Sequence, residues 1–212
     1  MIFVYLGIND YNFNRSQVGT GTVDYANLVS ADGVYVTPTT FGEAYGILLH
    51  KMKNAYPNAQ IFAMTLLPEN LYSVDMAAWE QHNAYIRAAA QYYGIPLVDL
   101  AENCAITWDN YSGYMIDKIH PTTAGMQLIS DCIEAELVSY YSRPLGDVNG
   151  DASVDHNDAI YLLLHTMFGA DSYPLCGAFT DFDGSGAVDQ SDAVYLLLHT
   201  LFGETFYPLK TE

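Results

Sequence analysis

The chain has 212 residues, with 7 basic and 25 acidic side chains and a formal net charge of -18. Half of it is apolar, a core-forming composition that excludes a disordered chain. The charge excludes the Lys/Arg clusters that nucleic acid or an anionic membrane surface requires, and no run of 18 apolar residues is present for membrane insertion.

The sequence opens at Met1 directly into Ile2-Phe3-Val4-Tyr5-Leu6-Gly7, with no basic segment ahead of it to read as a signal peptide. This continuous apolar run ending in glycine predicts a buried parallel strand. Gly7-Ile8-Asn9-Asp10 follows, a set that taken alone reads as a turn. Residues 40–56 place Phe41, Ala44, Tyr45, Leu48, Leu49 and Met52 on one helical face. A second strand is expected over Gln60–Pro68. A second helix is expected over 75–93, with Met76, Trp79, His82, Ile86, Ala90 and Tyr93 as its stripe. Ile95–Leu100 reads as the third strand. Asp117-Lys118-Ile119-His120-Pro121 then leads into a last helix after Thr122, striped by Leu128, Ile129, Cys132, Ile133 and Leu137. Strands alternating with helices predict an α/β architecture with a parallel sheet, and in such sheets chemistry sits at the carboxyl ends of the strands. Three cysteines, Cys104, Cys132 and Cys176, form no disulfide framework and no zinc motif. One bridge stays possible, and Cys132 reads as core.

Together, in this order and around this α/β pattern, Gly7-Ile8-Asn9-Asp10 and Asp117-Lys118-Ile119-His120 resemble the SGNH (GDSL-like) hydrolases over residues 1–141. Tyr56-Pro57-Asn58-Ala59 and Gly94-Ile95-Pro96-Leu97-Val98-Asp99 support the likeness. It implies a flavodoxin-like three-layer α/β/α sandwich, incomplete here. Gly7 and Asn9 would be oxyanion donors, Asp117 the acid that orients the base, and His120 the base. A serine hydroxyl becomes a nucleophile only when an imidazole takes its proton, and a carboxylate orients that imidazole. The family's Gly-Asp-Ser block is absent from the chain, and neither Ser16 nor Ser112 fits the nucleophile's strand-to-helix position. The expectation is an N-terminally truncated chain, with both the nucleophile and a signal peptide upstream of Met1.

A boundary is placed at Tyr140-Tyr141-Ser142-Arg143-Pro144, giving domains at 1–143 and 146–212. Residues 145–212 hold 11 acids and one base. They contain an internal repeat: 147–175 and 181–209 match at 17 of 29 positions. Each copy opens with a 12-residue loop carrying oxygen donors at the positions a hard cation such as Ca²⁺ takes. In the first loop these are Asp147, Asn149, Asp151, the Ser153 carbonyl, Asp155 and Asp158. In the second they are Asp181, Asp183, Ser185, the Ala187 carbonyl, Asp189 and Asp192. Ala152 stands at position 6, where glycine favours the sharp turn, and position 12 is Asp in both copies. Val154 and Val188, at position 8, are expected to pack each loop onto a core. A helix follows each loop, expected to be capped by the loop's last Asp and stopped by Gly169 or Gly203. Both helices are apolar nearly all round, so one face of each is expected to pack on the other and the remainder to meet a partner. His165 and His199 read as half-buried or partner-facing, and Tyr-Pro-Leu at 173–175 and 207–209 as packing back on the helices.

Residues 146–209 resemble a type I dockerin, a calcium-dependent module that docks enzymes on the cohesin modules of a cellulosome scaffoldin. The likeness implies an all-α module with two Ca²⁺ ions. It implies cohesin contacts at His156, Asn157, Leu163, Leu164, Phe168, Gln190, Ser191, Leu197, Leu198 and Phe202. Many dockerins carry Lys-Arg where Leu163-Leu164 stands, so the cohesin type is open. The combined expectation is a secreted, cellulosome-associated carbohydrate esterase acting on acetylated plant cell-wall polysaccharide, with no catalytic cofactor. The alternative is a non-catalytic calcium-dependent assembly protein carrying a hydrolase remnant. A calcium sensor fits less well, because millimolar extracellular calcium would saturate such loops.

Overall fold

The computed structural model describes every residue except 14, 58, 170, 171, 174, 177–179, 211 and 212. Asn58 of the Tyr56–Ala59 segment and Pro174 of the first Tyr-Pro-Leu therefore lie outside the described residues. The chain divides into two compact units, residues 1–137 and 138–212.

The first unit alternates strand and helix as the hydropathy pattern predicts. Its order is β1 (Ile2–Val4), α1 (Ile8–Phe13), α2 (Phe41–Ala55), β2 (Ile61–Met64), α3 (Met76–Tyr92), β3 (Leu97–Val98), α4 (Leu100–Asn103), α5 (Tyr111–Tyr114) and α6 (Thr123–Tyr141). The strands form one parallel sheet in the order β1-β2-β3, with Ile2 beside Ile61 and Ala63 beside Leu97. Thr40 and Glu43 start α2 with a capping box, each side chain accepting the other's backbone N–H. Asp75 caps α3 by accepting from the Ala78 N–H.

All four residues of β2 are buried, so both faces of the sheet are covered. Ile61 and Ala63 join the main core with Tyr11, Tyr45, Leu49, Tyr85, Ile86 and Ala89. Phe62, one residue out of register with them, faces the other way and stacks on Phe3 at 5.4 Å. At the far edge, Met1, Phe3 and Leu6 stand 61%, 40% and 52% exposed.

The second strand stops at Met64, four residues short of the predicted Pro68, yet residues 65–70 stay buried. The chain leaves the sheet there, and side chains replace the ladder. The Leu66 N–H donates to Asn83 Oδ1 at 2.7 Å, and Asn83 Nδ2 returns a bond to the Leu66 carbonyl at 3.3 Å. Leu67 N–H donates to the Tyr5 hydroxyl, and its carbonyl accepts from Trp79 Nε1 at 3.1 Å.

In the second unit, α7 (His156–Phe168) and α8 (Gln190–Phe202) pack on each other. Ala159, Leu162, Ala193, Leu196, Val148, Phe182 and Leu209 form its core. The repeated tyrosines fold back as expected: Tyr173 and Tyr207 meet Tyr161 and Tyr195 edge-on, and their carbonyls hydrogen-bond His165 and His199, each at 2.7 Å. Two expectations are corrected. The helix caps are Asp155 and Asp189, at loop position 9, and the last Asp of each loop falls at N3 of a capping box. Position 9 is still extended while position 10 is already helical, so the carboxylate at position 12 reaches back rather than starting the helix. Val154 packs on the core as expected, but Val188 is 43% exposed.

Asn83 supplies both partners of a buried peptide unit, so its loss leaves a donor and an acceptor unsatisfied. Asn83→Ala is expected to destabilise the first unit by about 2–4 kcal/mol. Urea unfolding followed by tryptophan fluorescence checks this, because both tryptophans, Trp79 and Trp108, lie in that unit.

Candidate active site and acidic loops

Gly7 ends β1 with φ 121°, and a Cβ there would meet the Phe41 ring at 2.8 Å. Backbone conformation and close approach both require glycine. Its carbonyl accepts from the Tyr11 N–H at 2.9 Å, which opens α1. Asn9 therefore sits in the first turn of a short helix rather than in a free turn, and its side chain is exposed.

Residues 115–122 form a compact loop. Met115 bridges Pro121, the Ile116 N–H donates to the His120 carbonyl at 2.7 Å, and Thr122 N–H donates to the Tyr114 carbonyl at 2.8 Å. Inside it, Asp117 Oδ1 accepts the backbone N–H of Ile119 and of His120, at 3.1 and 2.9 Å. Asp117 Oδ2 lies 2.7 Å from His120 Nδ1. With Nδ1 donating to the carboxylate, Nε2 keeps its lone pair, which is the tautomer a general base needs. The His120 N–H and ring hydrogen bonds hold the Asp117 carboxyl down at about 2, and Asp117 in return raises His120. Both side chains are open to solvent, at 51% and 74% exposure. Among the described residues no serine hydrogen-bonds His120, and Ser16 and Ser112 stay unassigned.

The loop after β2 ties these pieces together. Asn70 N–H donates to the Lys118 carbonyl at 2.9 Å, and Leu71 N–H donates to Asn12 Oδ1 of α1 at 2.9 Å. Arg15 Nη2 reaches Asn70 Oδ1 at 3.4 Å, while its Nε donates to the Tyr11 carbonyl at 2.7 Å. Glu69, 3% exposed, accepts from the Tyr5 hydroxyl at 3.0 Å. Burial pushes its carboxyl up to about 7 against the opposing pull of Tyr5 and His120. The loop after β2 thus bonds both α1, through Asn12, and the Asp117–His120 turn, through Lys118. Neither Glu69 nor Tyr5 was singled out by sequence. The available signal was a Glu-Asn pair placed directly after an apolar run.

The acidic loops close in matching ways. Asp147 accepts from the N–H groups of Gly150 and Ala152, and Asp181 from those of Ser185 and Gly186. Position 6 is left-handed in both: Ala152 has φ 69° and Gly186 φ 91°. The alanine adopts the glycine conformation at some cost in strain. Asp158 and Asp192 are fully buried. Asp158 Oδ1 accepts from Val148 and Asn149, and its Oδ2 from Asp155, while burial raises its pKa. In the second loop, carboxylate oxygens of Asp181, Asp183 and Asp192 lie within 4.8 Å of one another. An all-oxygen set of this charge fits a hard divalent cation, whose charge would offset the mutual repulsion of the carboxylates. Of the remaining loop positions, Asn149 and Asp151 bond each other, and Asp155 and Asp189 are occupied as helix caps. Ser153 N–H donates to Asp151, and the Ala187 carbonyl accepts from the Ser185 hydroxyl.

The ten residues assigned to cohesin contact lie on the outer surface of the second unit. Phe168 and Phe202 are each 58% exposed, and Leu163 and Leu197 are also exposed. His156, Asn157, Gln190 and Ser191 are exposed, whereas Leu164 and Leu198 are half-buried. Cys104, Cys132 and Cys176 are free thiols, so the possible bridge is not formed.

A family model of GDSL-like lipases and acylhydrolases matches residues 1–128, and the chain belongs to that family. No curated protein sequence matches it. Among solved structures, a Lactobacillus plantarum protein is 21% identical, with a TM-score of 0.51 over 66% of this chain and 67% of that one. A second crystal structure is 18% identical, with a TM-score of 0.47 over 65% of this chain and 63% of that one. The first likeness bears on the fold alone.

Removing the carboxylate from Asp117 removes what favours the charged imidazole, so Asp117→Asn is expected to lower the titration midpoint of His120. NMR titration of the His120 ring checks the sign. An unmoved midpoint would contradict the pairing.

Proposed function

We propose that this chain belongs to a secreted serine carbohydrate esterase that removes acetyl groups from plant cell-wall polysaccharide. In this reading the fold is a three-layer α/β/α sandwich. His120 Nε2 takes the nucleophile's proton, Asp117 stabilises the resulting imidazolium, and Gly7 and Asn9 donate to the oxyanion. Preorganised donors of that kind contribute on the order of 3 kcal/mol each. The observation that carries the reading is the Asp117–His120 pair at 2.7 Å with Nε2 left free. The reading needs a serine hydroxyl delivered to Nε2.

The second unit, in the same proposal, is a dockerin that binds two Ca²⁺ ions and plugs into a scaffoldin cohesin. Asp181, Asp183 and Asp192, with Ser185, the Ala187 carbonyl and Asp189, would hold one ion. Asp147, Asn149, Asp151, the Ser153 carbonyl, Asp155 and Asp158 would hold the other. Bound calcium supplies charge balance and fixes the loops that cap α7 and α8. The duplicated outer residues Leu163, Phe168, Leu197 and Phe202 supply apolar contact area. Cellulosome association follows from this docking role.

Deacetylation of acetylated xylan by the protein expressed from its natural gene tests the first unit. His120→Ala is expected to lower kcat by about 10³-fold or more. Absence of hydrolysis in the unmutated protein would favour a calcium-dependent assembly protein instead.

Chelation tests the second unit. EDTA is expected to lower its helicity and abolish cohesin capture, with recovery on adding Ca²⁺. Capture that survives chelator would overturn the calcium-folded reading.

A further inference from the structure

Glu69 is a buried titratable group that the acid–base pair leaves unused. It is 3% exposed in the segment that runs on past the end of β2. Burying a carboxylate is costly unless it is held, and here a phenol holds it. Tyr5 accepts the Leu67 N–H at 3.3 Å, which leaves its own proton for Glu69 Oε1 at 3.0 Å. One residue further on, Asn70 fastens the Lys118 carbonyl. Lys118 lies between Asp117 and His120 and holds φ 74°, a conformation that non-glycine residues adopt only when neighbours enforce it. The same six-residue stretch therefore carries a buried carboxylate and clamps the turn that carries the base.

We propose that Glu69 is a positioning residue for His120, a second carboxylate that favours the imidazolium while its segment fixes the Asp117–His120 turn. This rests on reading Asp117 and His120 as the acid–base pair.

The charges facing the two groups are few. Tyr5 bonds Glu69, Asp117 bonds His120, and the two pairs are linked by the Asn70–Lys118 backbone bond, across which Glu69 and His120 attract. Arg15, just past α1, is spent on Asn70, Ser73 and the Tyr11 carbonyl. Attraction between Glu69 and His120 acts both ways: the ionised carboxylate raises His120, and the imidazolium lowers Glu69. Because burial lifts Glu69 to about 7, its charge is lost as the pH falls through neutrality, and with it part of the support for the imidazolium. Tyr5 opposes that lift, so removing its hydroxyl moves the Glu69 titration upward.

The test is an NMR pH titration of the His120 ring in the 212-residue chain, with His120→Gln identifying the signal. The unmutated protein is expected to show a second inflection near pH 7. Glu69→Gln, which can still accept from Tyr5, is expected to remove that inflection and lower the His120 midpoint. Tyr5→Phe is expected to move the inflection upward. Unchanged His82 signals report that the fold is intact. A His120 titration indifferent to Glu69→Gln overturns the proposal. Should that variant not fold, an inflection unmoved by Tyr5→Phe overturns it. The titration needs no turnover, so it separates from failure of the esterase reading, which shows as absent hydrolysis. Where hydrolysis is present, Glu69→Gln is expected to flatten the kcat–pH profile near neutrality and leave KM unchanged.

Discussion

A buried stretch of backbone that runs on past the sheet governs the first unit. Residues 65–70 leave the sheet after Met64 and remain inside the protein, where an unpaired peptide group costs about as much as a lost hydrogen bond. The partners come from several elements. Asn83 of α3 takes both groups of Leu66, Tyr5 and Trp79 take those of Leu67, and Asn12 of α1 takes the Leu71 N–H. Asn70 donates to the loop of the acid–base pair. Satisfying this one segment therefore fixes the mutual placement of α1, α3 and the Asp117–His120 turn.

The acid–base pair is built on the opposite principle. Asp117 and His120 are exposed, and their geometry comes from hydrogen bonds within the turn rather than from packing. Exposed charges are screened, so the pairing adds little to stability. What it sets is the tautomer and the direction of the free nitrogen, which are properties of use in proton transfer. The buried loop beside it adds the rigidity that the exposed turn lacks.

The second unit solves a charge problem by repetition. Each loop turns its first Asp onto the N–H groups of the turn and its last Asp onto the start of the loop and of the helix. The two halves then meet through Leu162 and Leu196, small residues beside them allowing close approach. Equivalent apolar residues are left on the outside of both helices, which is the physical basis for proposing a partner there.

Local signals were enough to read much of this chain. Continuous apolar runs gave the three strands, helical stripes gave α2, α3 and α6, and the 34-residue offset gave α7 and α8. The Asp-x-x-His spacing is short enough for one turn to decide its geometry, so the pair at positions 117 and 120 was legible. Tertiary structure decided the rest. The second strand ends early and its continuation is met by Asn83 and Tyr5 instead, an arrangement that no window of sequence contains. The helix caps moved from loop position 12 to position 9, since the first helical residue is fixed by backbone geometry rather than by which aspartate is nearest. Glu69 is invisible as a functional candidate in sequence because its role depends on Tyr5, 64 residues away, and on a turn some fifty residues downstream. Hydropathy and spacing act along the chain, whereas burial and electrostatic coupling act across it.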